Sequence, residues 1–248
     1  MTTQGPIHLD QRARFEILGA ILLALFLSAL DQTIVGTALP RIVSDLHGNA
    51  LYVWVVTIYL LTSTVTGPIY GKISDLYGRR PMMMIGIGIF LTGSVLSGIS
   101  QEMWQLIAAR GFQGLGAGAI FPISLAVIGD LFTPRERGKY QGLFGAVFGI
   151  SALIGPFLGG FLTDNWSWHW VFFVNVPVGL ISLYIIWRLL PPIKHPDAAK
   201  SIDYLGSAVF AVAIVPILIG LTNKQTADWT DPFVGGLIAI GLVFMAIF

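Results

Sequence analysis

Long runs of apolar residues, separated by short polar segments, follow one another along the whole chain. Eight such runs can be drawn, at 16–40, 51–70, 82–100, 104–128, 139–163, 169–190, 204–222 and 233–248. Most are close to the roughly 20 residues that an α-helix needs to cross a bilayer. They lack the alternation of polar and apolar positions that is typical of membrane β-strands. Because only helices and closed barrels satisfy their backbone hydrogen bonds in lipid, the pattern predicts an all-α, polytopic membrane protein.

The polar segments divide these predicted helices into groups. Residues 1–15 precede the first run, and a six-helix bundle is expected over 16–190. The polar, proline-containing segment 191–203 then leads to two further helices within 204–248, the second of which we expect to be truncated because it runs to the last residue. The first run is longer than the apolar core of a cleaved signal peptide, so we interpret it as a membrane helix.

The distribution of charge predicts how the chain is oriented. Charged residues make up only 11% of the sequence, against about 25% in ordinary globular domains. With the N-terminus in the cytoplasm and alternating loops, the 14 basic residues divide into eleven on inner segments, two on outer segments (Arg41 and Lys224) and Arg110 inside a run. Membrane proteins concentrate Lys and Arg on the cytoplasmic side. We therefore expect a multi-pass plasma-membrane protein with a cytoplasmic N-terminus and no nucleic-acid partner.

Several kinds of chemistry find no support in the sequence. There is no cysteine, which excludes disulfides and thiolate metal sites. The four histidines are scattered, at His8, His47, His169 and His195, without metal-ligand spacing. No Ser/His, paired-Asp or H-E-x-x-H pattern is present. We expect no metal, no cofactor and no enzymatic activity.

Two charged residues lie inside apolar runs, Asp31 in the first and Arg110 in the fourth. A charge at the centre of a membrane helix costs roughly 2.5–3.5 kcal/mol on insertion scales and usually marks function. Counted from the outer ends of their runs, the two lie at depths of roughly 14 and 9 Å, so their side chains can meet. Gln113 follows Arg110 at helical spacing and is predicted to face inward with it. We interpret Asp31, Arg110 and Gln113 as a proton-coupling site; a purely structural ion pair is the alternative.

The inner loop after the second run combines glycines with a charged cluster. It reads G-K-I-S-D-L-Y-G-R-R at residues 71–80. Gly71 permits close approach to a neighbouring helix, and Gly78 permits a tight turn. Asp75, Arg79 and Arg80 are expected to form a breakable ion-pair cluster with Asp130 at the inner end of the fourth run. The alternative is a basic loop that only sets orientation.

One pattern occurs twice, at opposite predicted faces of the membrane. Gly67-Pro68 with Gly71 precedes Asp75, and Gly155-Pro156 with Gly159-Gly160 precedes Asp164. Inverted repeats of three helices are typical of secondary transporters. The pattern therefore predicts an inverted three-plus-three repeat within the six-helix bundle.

These motifs resemble those of a known family. The loop at 71–80 matches G-x-x-x-D-x-x-G-R-R/K of the major facilitator superfamily, and Arg110, Gln113, Gly114 and Gly116 match its fourth-helix motif R-x-x-Q-G-x-G, which is associated with proton transfer. Residues 30–40 resemble the first-helix motif of fourteen-helix drug:proton antiporters, with Gly36 where Asn is frequent. Gly155, Pro156, Gly159 and Gly160 resemble the antiporter motif of the fifth helix, in which Ser151 replaces the first Gly. Residues 168–179 and 202–206 resemble further segments of the same subfamily.

The resemblance implies the amino-terminal part of a proton-coupled exporter that works by alternating access. Its partners would be protons, an amphipathic or cationic small molecule such as a drug, the lipid bilayer and a missing C-terminal half. Aromatic residues at suitable depth are expected to line a central cavity: Trp54, Tyr59, Phe121 and Phe148. The alternatives are export of a lipid, siderophore or metabolite on the same fold, and a non-transporting membrane scaffold.

Overall fold

The computed structural model describes residues 10–49, 51–191 and 203–248. Within these ranges all regular structure is helical, so the predicted all-α fold is confirmed. The predicted N-terminal segment 1–15 and the linker 191–203 lie largely outside the described residues. So do two of the four histidines, His8 and His195.

The helices follow the predicted apolar runs, with some different ends. They are α1 Gln11–Asp45, α2 Tyr52–Tyr77, α3 Arg79–Gly98, α4 Met103–Leu131, α5 Pro134–Asn165, α6 Trp170–Phe173, α7 Asn175–Leu189 and α8 Tyr204–Asn223, then a π-helical turn at Pro232–Gly236 and α9 Leu237–Ile247. Among the described residues, seven helices are long and apolar enough to cross a membrane when α6 and α7 are taken together. The eighth predicted run forms a shorter apolar helix, Pro232–Ile247.

Local sequence explains where several helices start and stop. Gly78 has a φ of 107°, which residues with a Cβ rarely adopt, and it is the single residue between the end of α2 and the start of α3. Helix α5 starts before its predicted run because the Thr133 backbone N–H donates to the Glu136 carboxylate over 3.1 Å and Pro134 occupies the first helical position. The break between α6 and α7 follows from Pro177, which has no N–H to donate to the carbonyl oxygen of Phe173.

The first six predicted spans form one bundle in which helices of the two halves interleave. Helix α2 packs along α4, and α5 packs along α1. A Cβ placed on Gly114 or Gly118 of α4 would lie 2.6 Å from the carbonyl oxygen of Tyr59 or Ser63 on α2, so these glycines allow the close approach expected of a small-x-x-x-small face. In an inverted repeat of α1–α3 and α4–α7, α2 and α5 are equivalent. The two pairings are therefore the same contact made twice.

Helix α8 continues the bundle along the outside of α2. The hydroxyl oxygens of Thr57 and Thr222 lie 2.9 Å apart, and the Tyr52 hydroxyl donates to Gln225 Oε1 over 3.0 Å. Helix α9 in turn packs on α8. The two additional helices thus attach to one side of the six-span bundle.

Candidate functional site

The two charged residues of the apolar runs meet in the interior of the bundle. Arg110 Nη1 on α4 donates to Asp31 Oδ2 on α1 over 2.6 Å and to Gln113 Oε1 over 2.7 Å. All three residues are at most 1% exposed. The sequence predicted that these side chains can meet, and the structure places them in direct contact.

The other oxygen of the Asp31 carboxylate binds two side-chain amides. Oδ1 accepts hydrogen bonds from Gln113 Nε2 over 2.9 Å and from Asn175 Nδ2, at the start of α7, over 2.7 Å. Asn175 Nδ2 also donates to Ser94 Oγ on α3 over 2.9 Å, and Ser94 Oγ donates to the carbonyl oxygen of Phe172 over 2.9 Å. Sequence reasoning missed Asn175 and Ser94 because they are uncharged and, unlike Gln113, do not follow a charged residue at helical spacing within an apolar run. Their position as polar residues in apolar spans was the available signal.

Arg110 is surrounded on its remaining sides. Its Nε donates to the carbonyl oxygen of Val55 over 3.4 Å, and its Cζ lies 4.1 Å from the ring centroid of Tyr59. The Phe172 ring centroid is 5.9 Å away. Since a guanidinium is attracted to an aromatic face, the two rings stabilise a charge that has lost contact with water. The charge of Arg110 is therefore balanced by Asp31 and shielded by aromatic rings.

A cavity lies beside this network, between α1, α2, α4 and α5. It has a volume of about 460 Å³, and polar and aromatic side chains contribute to its lining: Ser28, Gln32, Tyr59, Ser63, Thr64, Phe121 and Phe148. Three of the four predicted aromatic residues are present; Trp54 does not line this cavity. Tyr59 contacts both features, because its ring covers Arg110 and its hydroxyl lies 3.1 Å from Ser28 Oγ.

A second charged cluster joins α2, α3 and α4 at the end of the bundle where α1 begins. Arg79 Nη2 lies 2.6 Å from Asp75 Oδ1, and Arg79 Nε donates to Asp130 Oδ2 over 3.0 Å. Its Nη1 donates to Ser74 Oγ over 2.7 Å. The structure thus brings together Asp75, Arg79 and Asp130, and Ser74 is a member that the sequence did not indicate.

The other glycine and basic residues near this cluster do not take part in the contacts of Arg79. Gly71 faces Pro122, whose Cβ would lie 3.9 Å from a Cβ placed on the glycine, and Arg80 takes no part in the contacts of Arg79. Arg137, which the sequence did not single out, donates to the carbonyl oxygens of Gly129 over 2.6 Å and Phe132 over 3.2 Å. It therefore satisfies carbonyl groups at the end of α4. In the described ranges no three acidic or histidine side chains are grouped as metal ligands.

Some of the motif glycines of α5 face α1 and others do not. A Cβ placed on Gly155 would overlap Thr33, and one on Gly159 would lie 2.8 Å from the carbonyl oxygen of Ile34. Thr33 Oγ1 also donates to the carbonyl oxygen of Ser151 over 3.0 Å. In contrast, Pro156 is exposed, and a Cβ on Gly160 would meet no atom within 4 Å. Only two of the four motif positions therefore support close packing of α5 on α1.

Comparison with known proteins identifies relatives of this architecture. A family model described as Major Facilitator Superfamily matches residues 21–248. Multidrug resistance protein 3 of Bacillus subtilis (strain 168) is 44% identical over 237 residues, which cover 95% of this chain and 46% of that protein. The multidrug transporter protein MdtP of the same organism is 42% identical over 234 residues, with 94% and 43% covered. The chain thus spans less than half the length of these curated relatives.

A solved structure shares the fold. The crystal structure of the human organic anion transporter MFSD10 matches with a TM-score of 0.69 at 18% identity, covering 93% of this chain and 61% of that one. Apolar helices of spanning length arranged as an interleaved repeat define a multi-pass helical membrane protein. This chain belongs to the major facilitator superfamily. Members of this superfamily are transporters rather than enzymes. The predicted family is confirmed.

Proposed function

We propose that this chain is the N-terminal part of a proton-coupled exporter of amphipathic or cationic small molecules. In this proposal residues 16–190 form one half of an alternating-access carrier, and the helices within 204–248 follow it as linker helices. A second six-helix half completes the substrate path. The buried contact between Asp31 and Arg110 is the main observation in support.

The case for proton coupling is electrostatic. Ionised Asp31 balances Arg110 in a site that excludes water, and an unpaired charge there is strongly unfavourable. Protonation of Asp31 would leave the guanidinium without its counter-ion, so it would favour a different arrangement of α1 and α4. A proton can shift a conformational equilibrium in this way because it binds the two states with different affinity. Asp31 thus has the position that a proton-coupled carrier requires.

The cavity supports the proposed substrate class. Phe121 and Phe148 offer flat apolar surface, while hydroxyl and amide groups such as those of Ser28 and Gln32 offer hydrogen bonds. Such a mixture suits amphipathic molecules, and aromatic faces also attract cations. The names of the two bacterial relatives, a multidrug resistance protein and a multidrug transporter, agree with this class.

The proposed location is the plasma membrane, with the N-terminus in the cytoplasm. The charge distribution supports this orientation, because Arg79, Arg137 and Lys139 lie at the end of the bundle where α1 begins, whereas Arg41 lies near the opposite end of α1. Concentration of basic residues on one side is typical of the cytoplasmic face. The Arg79 cluster would then contact the cytoplasm.

The test is transport by the carrier that contains this chain, measured in everted membrane vesicles with ethidium as an amphipathic cation. An imposed pH gradient should drive ethidium uptake, and Asp31→Asn should abolish it while the protein still inserts. Asp45→Asn is the matched control, since Asp45 lies on the same helix but is exposed and paired with Arg41 at 3.3 Å. Normal gradient-driven uptake by Asp31→Asn would contradict the proposal and favour a purely structural ion pair.

A further inference from the structure

Asn175 is an amide in the interior of the bundle that uses only half of its hydrogen-bonding capacity. It is 0% exposed, and its Nδ2 donates to Asp31 Oδ1 and to Ser94 Oγ. Its Oδ1 is buried and has no hydrogen-bond partner among the described residues. A buried acceptor without a partner is costly, so this one calls for an explanation.

Protonation of Asp31 would require one neighbouring group to change its role. Oδ2 faces Arg110 Nη1, which is a donor and cannot accept a proton. The proton must therefore reside on Oδ1. There, however, Gln113 Nε2 and Asn175 Nδ2 are both donors, so one of the two amides must rotate to present its oxygen.

The two amides differ in what a rotation would cost. Rotation of Gln113 would break the 2.7 Å bond from Arg110 Nη1 to its Oε1 and turn an NH₂ group towards a guanidinium. Rotation of Asn175 breaks no bond to its oxygen, because that oxygen has no partner. It brings Oδ1 to face Asp31 and Ser94, where it accepts from the protonated carboxyl. The Ser94 hydroxyl has a single proton, so it can donate to Oδ1 only by giving up its bond to the carbonyl oxygen of Phe172.

We propose that Asn175 is a positioning residue that matches the network to the protonation state of Asp31 by rotating its side-chain amide, donating to the carboxylate and accepting from the acid. This inference rests on the proposed function, in which Asp31 takes up the transported proton. In the part of the chain that the structure describes, the titratable groups facing Asp31 are Arg110 from α4 and the Tyr59 phenol from α2. Helices α3 and α7 contribute the uncharged Ser94 and Asn175.

The place of Asn175 in the fold couples this rotation to backbone hydrogen bonding. It is the first residue of α7, directly after the break that separates α6 from α7. Through Ser94 it is connected to the carbonyl oxygen of Phe172 on the other side of that break. A change in the direction of its amide therefore alters hydrogen bonds at a discontinuous part of the sixth span.

The first experiment follows both groups in the unaltered protein, reconstituted in lipid nanodiscs. Infrared spectroscopy measures the carboxyl band that appears on acidification and is missing in Asp31→Asn. Nitrogen NMR on a sample labelled at the four asparagines measures the Asn175 side-chain signal, which is assigned by its loss in Asn175→Leu. We expect the Asn175 signal to change with the same midpoint as the Asp31 carboxyl band.

The outcomes separate the two proposals. If the carboxyl band titrates while the Asn175 signal stays constant, the rotation is wrong and proton uptake by Asp31 stands. If no carboxyl band depends on Asp31, the proposed proton site is wrong, and the inference falls with it.

A second experiment compares variants of α7 by the same infrared titration. Asn175→Leu removes both hydrogen-bonding modes at similar volume, and the bond to a carboxylate is the stronger of the two. The midpoint of the carboxyl band should therefore move to higher pH by about one unit. Ser182→Ala is the matched control, since Ser182 is also buried on α7 and its hydroxyl has no partner among the described residues; its midpoint should not move. Equal midpoints for Asn175→Leu and Ser182→Ala would overturn the proposal.

Discussion

At the scale of single residues, the contacts of Arg110 determine which side chains can replace it in the ion pair. A guanidinium is a planar fork of donors that can hold two acceptors at once. In the structure one nitrogen, Nη1, donates to both, while Nε is directed to the carbonyl oxygen of Val55. An ammonium group has three donors and can reproduce the Nη1 contacts. It cannot reproduce the Nε contact or the contact of the guanidinium with the face of the Tyr59 ring.

Arg110→Lys should therefore be impaired rather than inactive. Loss of the planar contact with Tyr59 and of the Val55 bond should reduce gradient-driven ethidium transport about tenfold, equivalent to about 1.4 kcal/mol. Arg110→Gln, which leaves Asp31 without a counter-ion, should abolish transport. The measurement is the initial uptake rate in everted vesicles at equal protein level. A wild-type rate for Arg110→Lys would show that only the positive charge matters.

At the scale of helices, the contact between α1 and α5 depends on particular glycines. Gly155 and Gly159 face Thr33 and Ile34 so closely that a methyl group has no room, whereas Gly160, one residue further, faces open space. The motif that the sequence predicted as one unit thus divides into positions that pack and positions that do not. Only the packing positions hold α5 in close contact with α1.

Substitution of these glycines by alanine should separate the two kinds of position. Gly155→Ala should destabilise the protein by about 1–3 kcal/mol, because the added methyl group overlaps Thr33. Gly160→Ala should be neutral or stabilise by up to about 1 kcal/mol, since alanine favours a helix over glycine. Thermal unfolding of the purified protein in detergent measures both. A Gly155→Ala variant as stable as Gly160→Ala would contradict the close contact.

The helices of the bundle show what the sequence could and could not predict. Apolar runs and charges inside them were sufficient to predict the helical fold and the meeting of Asp31 with Arg110, because burying an unpaired charge is so costly. The charges of the loop after the second run, with Asp130 at the same predicted face, were sufficient to predict the cluster around Arg79. Gln113 was predictable from its helical spacing to Arg110, but Asn175 and Ser94 were not, because they resemble many other polar residues in membrane helices. Whether Trp54 or Tyr59 lines the cavity depends on helix rotation, which apolar runs alone do not determine.

At the scale of the whole molecule, the Arg79 cluster and the cavity lie in different parts of the bundle. Arg79 is buried, but its two acidic partners differ, since the side chain of Asp130 is 12% exposed and that of Asp75 is 31% exposed. Ion pairs open to solvent contribute about 0–1 kcal/mol, which applies to the contact with Asp75 but not to the contact with the largely buried Asp130. The Asp75 contact is thus weak enough to break and re-form as a carrier alternates between states.

Asp75→Ala should impair turnover without weakening substrate binding. The substitution removes one partner of Arg79 and leaves the cavity residues untouched, so the balance between conformational states changes and the binding site does not. Ethidium binding and ethidium transport should be measured side by side on the carrier that contains this chain. Asp164→Ala, near the end of α5 and one residue past the position equivalent to Asp75 in the repeat, is the control and should keep normal turnover. Loss of binding together with transport would indicate misfolding instead.

Residues 1–248 alone should insert into the membrane but should not transport. Helix α5 exposes large apolar side chains, among them Leu153 at 78% and Phe157 at 73%, and α5 also lines the cavity through Phe148. In the proposed carrier a second half completes that cavity, so the chain by itself should show no substrate-dependent proton movement in proteoliposomes with ethidium. Its N-terminus should be accessible only from the cytoplasmic side in labelling experiments. Robust transport would mean that two copies assemble into a complete carrier, in which α5 of one copy packs against the other copy.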